Sequence, residues 1–135
     1  MMAIHGVAVA AGNERIDVGK QELDNKCAVC HARSGRGDGG AIDLLKKAPA
    51  DLTQLSKRNG GVFRYGRYDR VTAAIDGRAV VEAHGDRDMP IWGRDYRAEA
   101  VPAAKYYFDV PYDMEMYARA RILALVDHLN RIQAK

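Results

Sequence analysis

Cysteine is scarce in this 135-residue chain, which contains only Cys27 and Cys30. Without a second cysteine pair, the usual four-ligand zinc site is hard to assemble. Long apolar runs are also missing, whereas a membrane-spanning helix needs about 20 such residues. Lysine and arginine form no run of the kind that follows nucleic-acid phosphates, and the net charge is only +3. No segment alternates apolar and polar residues as a half-buried strand does.

The length and balance of the chain suit one globular domain. Apolar residues make up 47% and charged residues 29%, and no internal repeat is present. Residues 1–13 carry no charge, and Ala8-Val9-Ala10 resembles the small-x-small pattern that precedes signal peptidase cleavage. This stretch is either a disordered arm or the remnant of a secretory signal peptide, although a basic n-region is absent. Residues 14–135 are expected to form the folded domain.

Apolar spacing and turn residues predict an all-α protein. Glycine-rich 32–43 and the segment 85–93 are expected to be loops. The expected helices run from Val18 to Cys27 with Asp17 as N-cap, from Leu52 to Arg58, from Tyr68 to Ile75, and through a final stripe of Ala118, Ile122, Leu125, Val126, Leu129 and Ile132.

The pentapeptide Cys27-Ala28-Val29-Cys30-His31 uses both cysteines. A redox pair of the thioredoxin type would open a helix within a strand-helix-strand pattern, which the flanking sequence does not offer. A disulfide across two residues would restrain little of the unfolded chain and would leave His31 unexplained. C-x-x-C-H is also the attachment signature of c-type haem. In that interpretation both thiols form thioethers and the histidine binds iron, so all three residues have a role.

A second axial ligand is expected from a distant segment, because cytochromes c pair histidine with methionine. Met89 is the candidate, in the loop GDRDMPIWG, where Pro90 keeps the backbone extended and Trp92 can cover the edge of the ring. Met89 as a packing residue remains the plainer alternative, and His84 is the other candidate ligand. The remaining methionines are Met1 and Met2 in the terminal arm, and Met114 and Met116 at the start of the last helix, where they are expected to be core.

In this order of features the chain resembles the class I monohaem cytochromes c of bacteria, from about Asp17 to Gln133. The resemblance implies a cytochrome c fold, with three to five helices wrapped around one covalently bound haem. It also implies that the N- and C-terminal helices cross at Gly19, with Leu23 nearby. His128 stands where the family usually has an aromatic residue, so it is expected to pack against Gly19 and not to bind iron.

The resemblance extends to the loop after the pentapeptide. In the family, a proline carbonyl there accepts a hydrogen bond from the second ring nitrogen of the proximal histidine. Pro49 is the candidate for that role, and Leu52 is expected to pack on the haem. The chain departs from its relatives at Gly37-Asp38-Gly39-Gly40, where they often have a proline after GxGDG. The phrases KRNGGVF at 57–63 and IDGR at 75–78 are also similar to this bacterial group.

The resemblance implies a periplasmic one-electron carrier and not an enzyme, because His31 and Met89 would fill both axial positions. Its partners would be a dehydrogenase or quinol-oxidising donor and an oxidase or reductase acceptor. The alternatives are a cytochrome c subunit bound permanently in a larger oxidoreductase, and a five-coordinate haem protein that binds gases or peroxide.

Two further surface features bear on partners. The tyrosine-rich segment 94–117 is expected to pack over the core, to seal the haem edge or to dock a partner. Basic residues in the first half form a solvated face that is also suited to acidic partners, namely Arg33, Arg36, Lys46, Lys47, Lys57, Arg58, Arg64, Arg67 and Arg70.

Overall fold

A computed structural model describes residues 15–64, 70–77, 92–104 and 114–135. Within these ranges every regular element is helical and no strand occurs, so the predicted all-α class is confirmed. None of the helices in the described ranges is long and apolar enough to cross a bilayer. The elements are α1 (Val18–Glu22), a π-helix (Leu23–Cys27), α2 (Ala28–His31), α3 (Leu55–Arg58), α4 (Arg70–Asp76), α5 (Trp92–Ala104) and α6 (Met114–Arg131), with 3₁₀ turns at Ile42–Leu44 and Leu52–Gln54.

The first helical run begins at the predicted N-cap. The Asp17 carboxylate accepts a hydrogen bond from the Lys20 N–H at 2.9 Å, which satisfies one of the free donors of the first turn. The run does not stop at Cys27 as predicted but passes through the π-helix and ends at His31. Ala32 then turns the chain with φ of 59°. The whole pentapeptide therefore lies at the end of one helical run.

The two terminal helices pack against each other at Gly19. A Cβ atom at this position would meet the Ala124 carbonyl oxygen and would lie 2.8 Å from the His128 Cβ. The predicted packing of His128 against Gly19 is therefore confirmed. Asp17 also accepts two hydrogen bonds from the Arg131 guanidinium, at 2.7 and 3.0 Å, which links the start of α1 to the end of α6.

The apolar stripe of α6 forms much of the core. Five of its six predicted members are buried, and Ile132, just past the helix end, packs partly buried against them. The expectation that Met116 is core is wrong, since 67% of it is exposed on the outer face of α6. The buried core residues are Leu23, Cys27, Ile75, Tyr96, Ala118, Ile122, Leu125, Val126 and Leu129.

Helix α5 was not expected from the sequence. The predicted loop 85–93 overlaps its start, because Trp92 and Gly93 are already helical, and the segment from Arg94 onward continues the helix to Ala104. Tyr96 is completely buried, so it packs in the core, although it does so from a helix and not from the loop that the plainest interpretation expected. The segment 105–113 lies outside the described residues.

The helix predicted over Leu52–Arg58 is confirmed as a 3₁₀ turn followed by α3. Gln133 fixes this segment to the C-terminus: its Oε1 accepts from the Ser56 N–H at 2.9 Å and its Nε2 donates to the Leu52 carbonyl at 2.7 Å. The helix predicted from Tyr68 is described from Arg70 to Asp76 and closes at Gly77, whose φ is 77°. Residues 1–14, with the proposed arm or signal remnant, lie outside the described residues.

Candidate functional site

The three residues of the candidate site occupy the last two turns of the first helical run. Cys27 ends the π-helix, while Cys30 and His31 are in α2. Cys27 and His31 are each 7% exposed, Cys30 is half-buried, and both cysteines are free thiols. Residues three and four apart in a helix share a face. Cys27 therefore shares a face with Cys30 and also with His31.

The His31 ring is held from one side by a backbone carbonyl. Its Nδ1 lies 2.9 Å from the Ala50 carbonyl oxygen. Because a carbonyl oxygen only accepts, Nδ1 carries the proton and Nε2 is the basic nitrogen. Histidines that bind metals usually donate their other ring N–H in this way, which fixes the ring orientation and the tautomer.

The carbonyl that accepts the hydrogen bond from His31 belongs to Ala50, one residue beyond the predicted acceptor Pro49. Pro49 was expected to offer its carbonyl to His31, but the Pro49 carbonyl oxygen instead approaches Gly37, where a Cβ would lie 2.6 Å from it. The Ala50 carbonyl oxygen lies near Gly37 as well, 3.2 Å from the same Cβ position. Of these two oxygens, the Ala50 oxygen is the one within hydrogen-bond distance of the His31 ring. The prediction that Pro49 and Leu52 contact a haem is not tested by this geometry.

The glycine-rich loop folds back along the end of α2. The N–H groups of Gly37, Gly39 and Ala41 donate to the carbonyls of His31, Cys30 and Val29, each at 3.0 Å. These are carbonyls that a helix end leaves without intrahelical partners. A Cβ on Gly39 would lie 2.5 Å from the Val29 carbonyl oxygen, so glycine is needed for the approach. The loop thereby caps the helix. It leads to Ala50, whose carbonyl lies beside the His31 imidazole.

The environments of the two thiols differ. Burial, followed by the charge of Glu22, raises the pKa of the Cys27 thiol to about 12. Glu22 is itself buried, and its carboxylate accepts hydrogen bonds from Tyr96 of α5 and Arg121 of α6, each at 3.0 Å. Burial and the same carboxylate raise the pKa of the Tyr96 phenol. Three helices therefore converge on the side of the run that carries Cys27.

Lys26, the residue before Cys27, joins α5 to this region. Its ammonium forms an ion pair with Glu99 and lies 5.7 Å from the Trp92 ring centroid and 5.2 Å from that of Tyr96. Cation–π contacts at these distances are favourable. Trp92, predicted to cover the edge of a haem, is half-buried and packs against the core beside this lysine.

The remaining predicted site residues are placed as follows. Leu52 is half-buried against the core, and its N–H donates to the Gly35 carbonyl at 2.6 Å. Met89 and the other candidate ligand His84 lie outside the described residues. The structure thus brings together Cys27, Cys30 and His31, places Leu52 in the loop that follows them, and leaves the ligand role of Met89 as a prediction.

Ala50, Glu22 and Arg121 were not identified as candidate site residues from the sequence. The last two partners are 99 residues apart in the chain, so no local pattern could connect them. In the described ranges, no group of three or more His, Cys, Asp or Glu side chains is arranged to hold a metal ion. No protein-family model, curated protein or solved structure matches the chain.

The donor set fits a c-type haem. Two thiols on one helical face suit two thioether bonds, and a buried imidazole with Nδ1–H held by a carbonyl offers Nε2 to iron. Attachment of a haem would also convert the buried, hard-to-ionise Cys27 thiol to an apolar thioether.

Proposed function

We propose that the chain is a periplasmic one-electron carrier that binds one haem c through Cys27 and Cys30, with His31 and Met89 as axial ligands. The observation that carries the proposal is the hydrogen bond between His31 and Ala50 at the end of the C-x-x-C-H helix. It prepares a buried imidazole for metal binding, at the position that the attachment signature reserves for the ligand. When bound, the haem supplies an iron that is oxidised and reduced by one electron.

The residues of the chain have separate tasks in this proposal. Cys27 and Cys30 fix the cofactor covalently to a helix end that the glycine-rich loop has already capped. His31 offers Nε2, and the Ala50 carbonyl keeps the ring in one orientation and makes the nitrogen more basic. Met89 would complete the coordination with a soft thioether, which favours ferrous iron. With His31 and Met89 both bound to the iron, no position would remain for a substrate, so the proposed activity is electron transfer alone.

Partners with an acidic surface suit the exposed residues of the segment 33–64. Basic residues outnumber acidic ones there, and Arg33, Arg36, Lys46, Lys47, Lys57, Arg58 and Arg64 are all exposed. Such a field speeds encounter with acidic partners, and the gain falls as salt rises. The proposed partners are a dehydrogenase or quinol-oxidising donor and an oxidase or reductase acceptor.

Expression with a haem-attachment system tests the proposal. We expect a coloured protein that is heavier than the polypeptide by one haem, whose colour survives denaturation because the bonds are covalent. The variant in which both Cys27 and Cys30 are replaced by Ser should retain no haem after denaturation. A colourless product of polypeptide mass from the unchanged chain would refute the proposal.

The ligands are tested separately by spectra of the oxidised protein. Met89→Ala should remove the methionine-to-iron charge-transfer band and yield a high-spin spectrum, while Met116→Ala, at an exposed position, should change neither. If Met89→Ala keeps the unchanged spectrum, Met89 is not the ligand, although attachment at the two cysteines still stands.

A further inference from the structure

Glu22 is a buried carboxylate at the junction of three helices. It ends α1, is only 7% exposed, and accepts hydrogen bonds from the Tyr96 hydroxyl and the Arg121 guanidinium, each at 3.0 Å. A charge in this position is expensive to bury, and neighbouring donors offset only part of that cost. Neither the proposed iron ligands nor the attachment of the haem requires the negative charge of Glu22. The buried charge therefore needs another explanation.

The π-helix places this carboxylate next to Cys27. In an α-helix, residues five apart lie about 140° from each other around the axis. Hydrogen bonds from i to i+5, such as the one from the Ala28 N–H to the Leu23 carbonyl, instead bring residues five apart close to register. Glu22 and Cys27 are accordingly both buried, and the Glu22 charge is the second cause, after burial, of the raised pKa of the Cys27 thiol.

The positive charge of Arg121 offsets only part of the negative charge of Glu22. The Arg121 side chain is 33% exposed, whereas that of Glu22 is 9% exposed. Water screens the guanidinium more than the carboxylate, so the carboxylate has the stronger effect on the interior. Lys26, which also flanks Cys27, is paired with Glu99. The charge that acts most strongly on the Cys27 side of the helix is therefore the negative charge of Glu22.

We propose that Glu22 sets the reduction potential of the haem attached at Cys27, lowering it by stabilising the ferric state, and that Arg121 moderates this effect. The inference rests on the proposed function. The oxidised iron centre carries one more positive charge than the reduced one, so a nearby buried anion favours the oxidised state. Net charge, hydrogen bonding and burial are recognised determinants of haem potentials.

A pair of variants with opposite charge changes separates this role from simple packing. Glu22→Gln keeps an acceptor for the Tyr96 hydroxyl but removes the negative charge, and Arg121→Gln removes the positive one. We expect the midpoint potential of the holoprotein to rise in Glu22→Gln and to fall in Arg121→Gln. If the pair mattered only for packing, both variants would loosen the same contact and shift the potential in the same direction.

Asp127→Asn is the matched control, since it removes one negative charge from an exposed carboxylate that is paired with Arg131 at 3.2 Å. Its potential should stay near that of the unchanged protein and approach it further as salt is raised, whereas the Glu22→Gln shift should persist. Tyr96→Phe keeps the net charge but removes one hydrogen bond from the carboxylate, so its potential should fall. This variant decides the question if Arg121→Gln does not fold. Equal shifts for Glu22→Gln and Asp127→Asn would overturn the proposal.

A measurement without haem keeps this failure distinct from failure of the proposed function. In the Cys30→Ser polypeptide, ionisation of the Cys27 thiol can be followed by its absorbance, and Glu22→Gln should lower its pKa. A chain that never attaches haem refutes the proposed function and the role in setting a potential. A coloured protein in which neither the thiol nor the potential responds to Glu22→Gln refutes only the role of Glu22.

Discussion

Gly19 of α1 lies directly against the backbone of Ala124 in α6, so that a methyl group on Gly19 would meet the Ala124 carbonyl oxygen and lie 2.7 Å from its carbon. Backbone atoms cannot move aside as the end of a flexible side chain can. Gly19→Ala should therefore separate the helices and lower the free energy of unfolding by about 1–3 kcal/mol or more, the usual cost of overpacking. Chemical denaturation monitored by circular dichroism measures the loss.

Gly40→Ala is the matched control for this substitution. A Cβ on Gly40 would have no neighbour within 4 Å, and the residue is not among those with positive φ. This variant should be neutral or slightly stabilising, because alanine restricts the unfolded chain. Equal stability of the two variants would show that the close approach at Gly19 does not limit the packing of the terminal helices.

His128 should make the stability of the fold depend on pH. Burial lowers its pKa below the ordinary 6.5; Asp17 opposes this, while Arg131 and Lys20 add to it. Its Nδ1 is buried without a hydrogen bond, 3.6 Å from the Asp17 carboxylate. Because the unfolded chain binds the proton first, this contribution to stability is complete above about pH 6.5 and is lost as pH falls through the lowered folded-state pKa.

The measurement is the denaturation midpoint of the protein and of His128→Phe as a function of pH. Phenylalanine fills a similar volume and does not titrate. The difference between the two proteins should change as the pH falls below about 6.5, with the unchanged chain losing stability relative to the variant. Parallel profiles would mean that His128 is not protonated differently in the folded and unfolded states.

Ala32 should be more stable as glycine. Its φ of 59° and ψ of 165° lie in a region that is essentially restricted to glycine, and such strain costs about 1–3 kcal/mol. Glycine would relieve that strain at an entropic cost of about 0.5–1 kcal/mol, so Ala32→Gly should raise the free energy of unfolding by about 1 kcal/mol. Ala120→Gly, in the middle of α6, should lower it by about the same amount. A loss of stability in Ala32→Gly would show that this backbone is not strained.

The sequence predicted those elements whose cause is local. The Asp17 cap, the turn at Gly77 and the buried stripe of α6 follow from residue types and apolar spacing, and the structure confirms them. Helix α5 was missed because its large apolar residues are few and form no stripe: Trp92 and Tyr96 are one turn apart, with charged residues between and after them, and most of its other apolar residues are alanines. Its position depends on contacts with Lys26 and Glu22, which periodicity does not reveal.

In the candidate site, too, the features with a local cause could be predicted and those that depend on distant contacts could not. The spacing of Cys27, Cys30 and His31 identifies the group directly, since all three share one helical run. The hydrogen-bond acceptor for His31 was placed at Pro49 but is Ala50, because the path of the loop decides which carbonyl faces the ring. The burial of Glu22 could not be predicted, since its partners come from α5 and α6 and the π-helix that orients it depends on a one-residue change in hydrogen bonding.

The two cysteines should differ in reactivity before any cofactor is attached. Cys27 is 7% exposed, and burial, followed by the charge of Glu22, raises its pKa from the ordinary 9.0 to about 12. Since the thiolate is the nucleophile, the raised pKa leaves far less of the Cys27 thiol ionised near neutral pH. Cys30 is half-buried and more accessible. In polypeptide made without haem, an alkylating reagent should therefore modify Cys30 first.

Mass spectrometry of the single variants measures this difference. Cys27→Ser should be alkylated rapidly at Cys30, whereas Cys30→Ser should be alkylated at Cys27 at least about a hundredfold more slowly. In denaturant the two rates should become similar, because unfolding removes both burial and the effect of Glu22. Equal rates without denaturant would contradict the packing around Cys27, and a slow Cys27 that denaturant does not accelerate would mean that burial is not the cause.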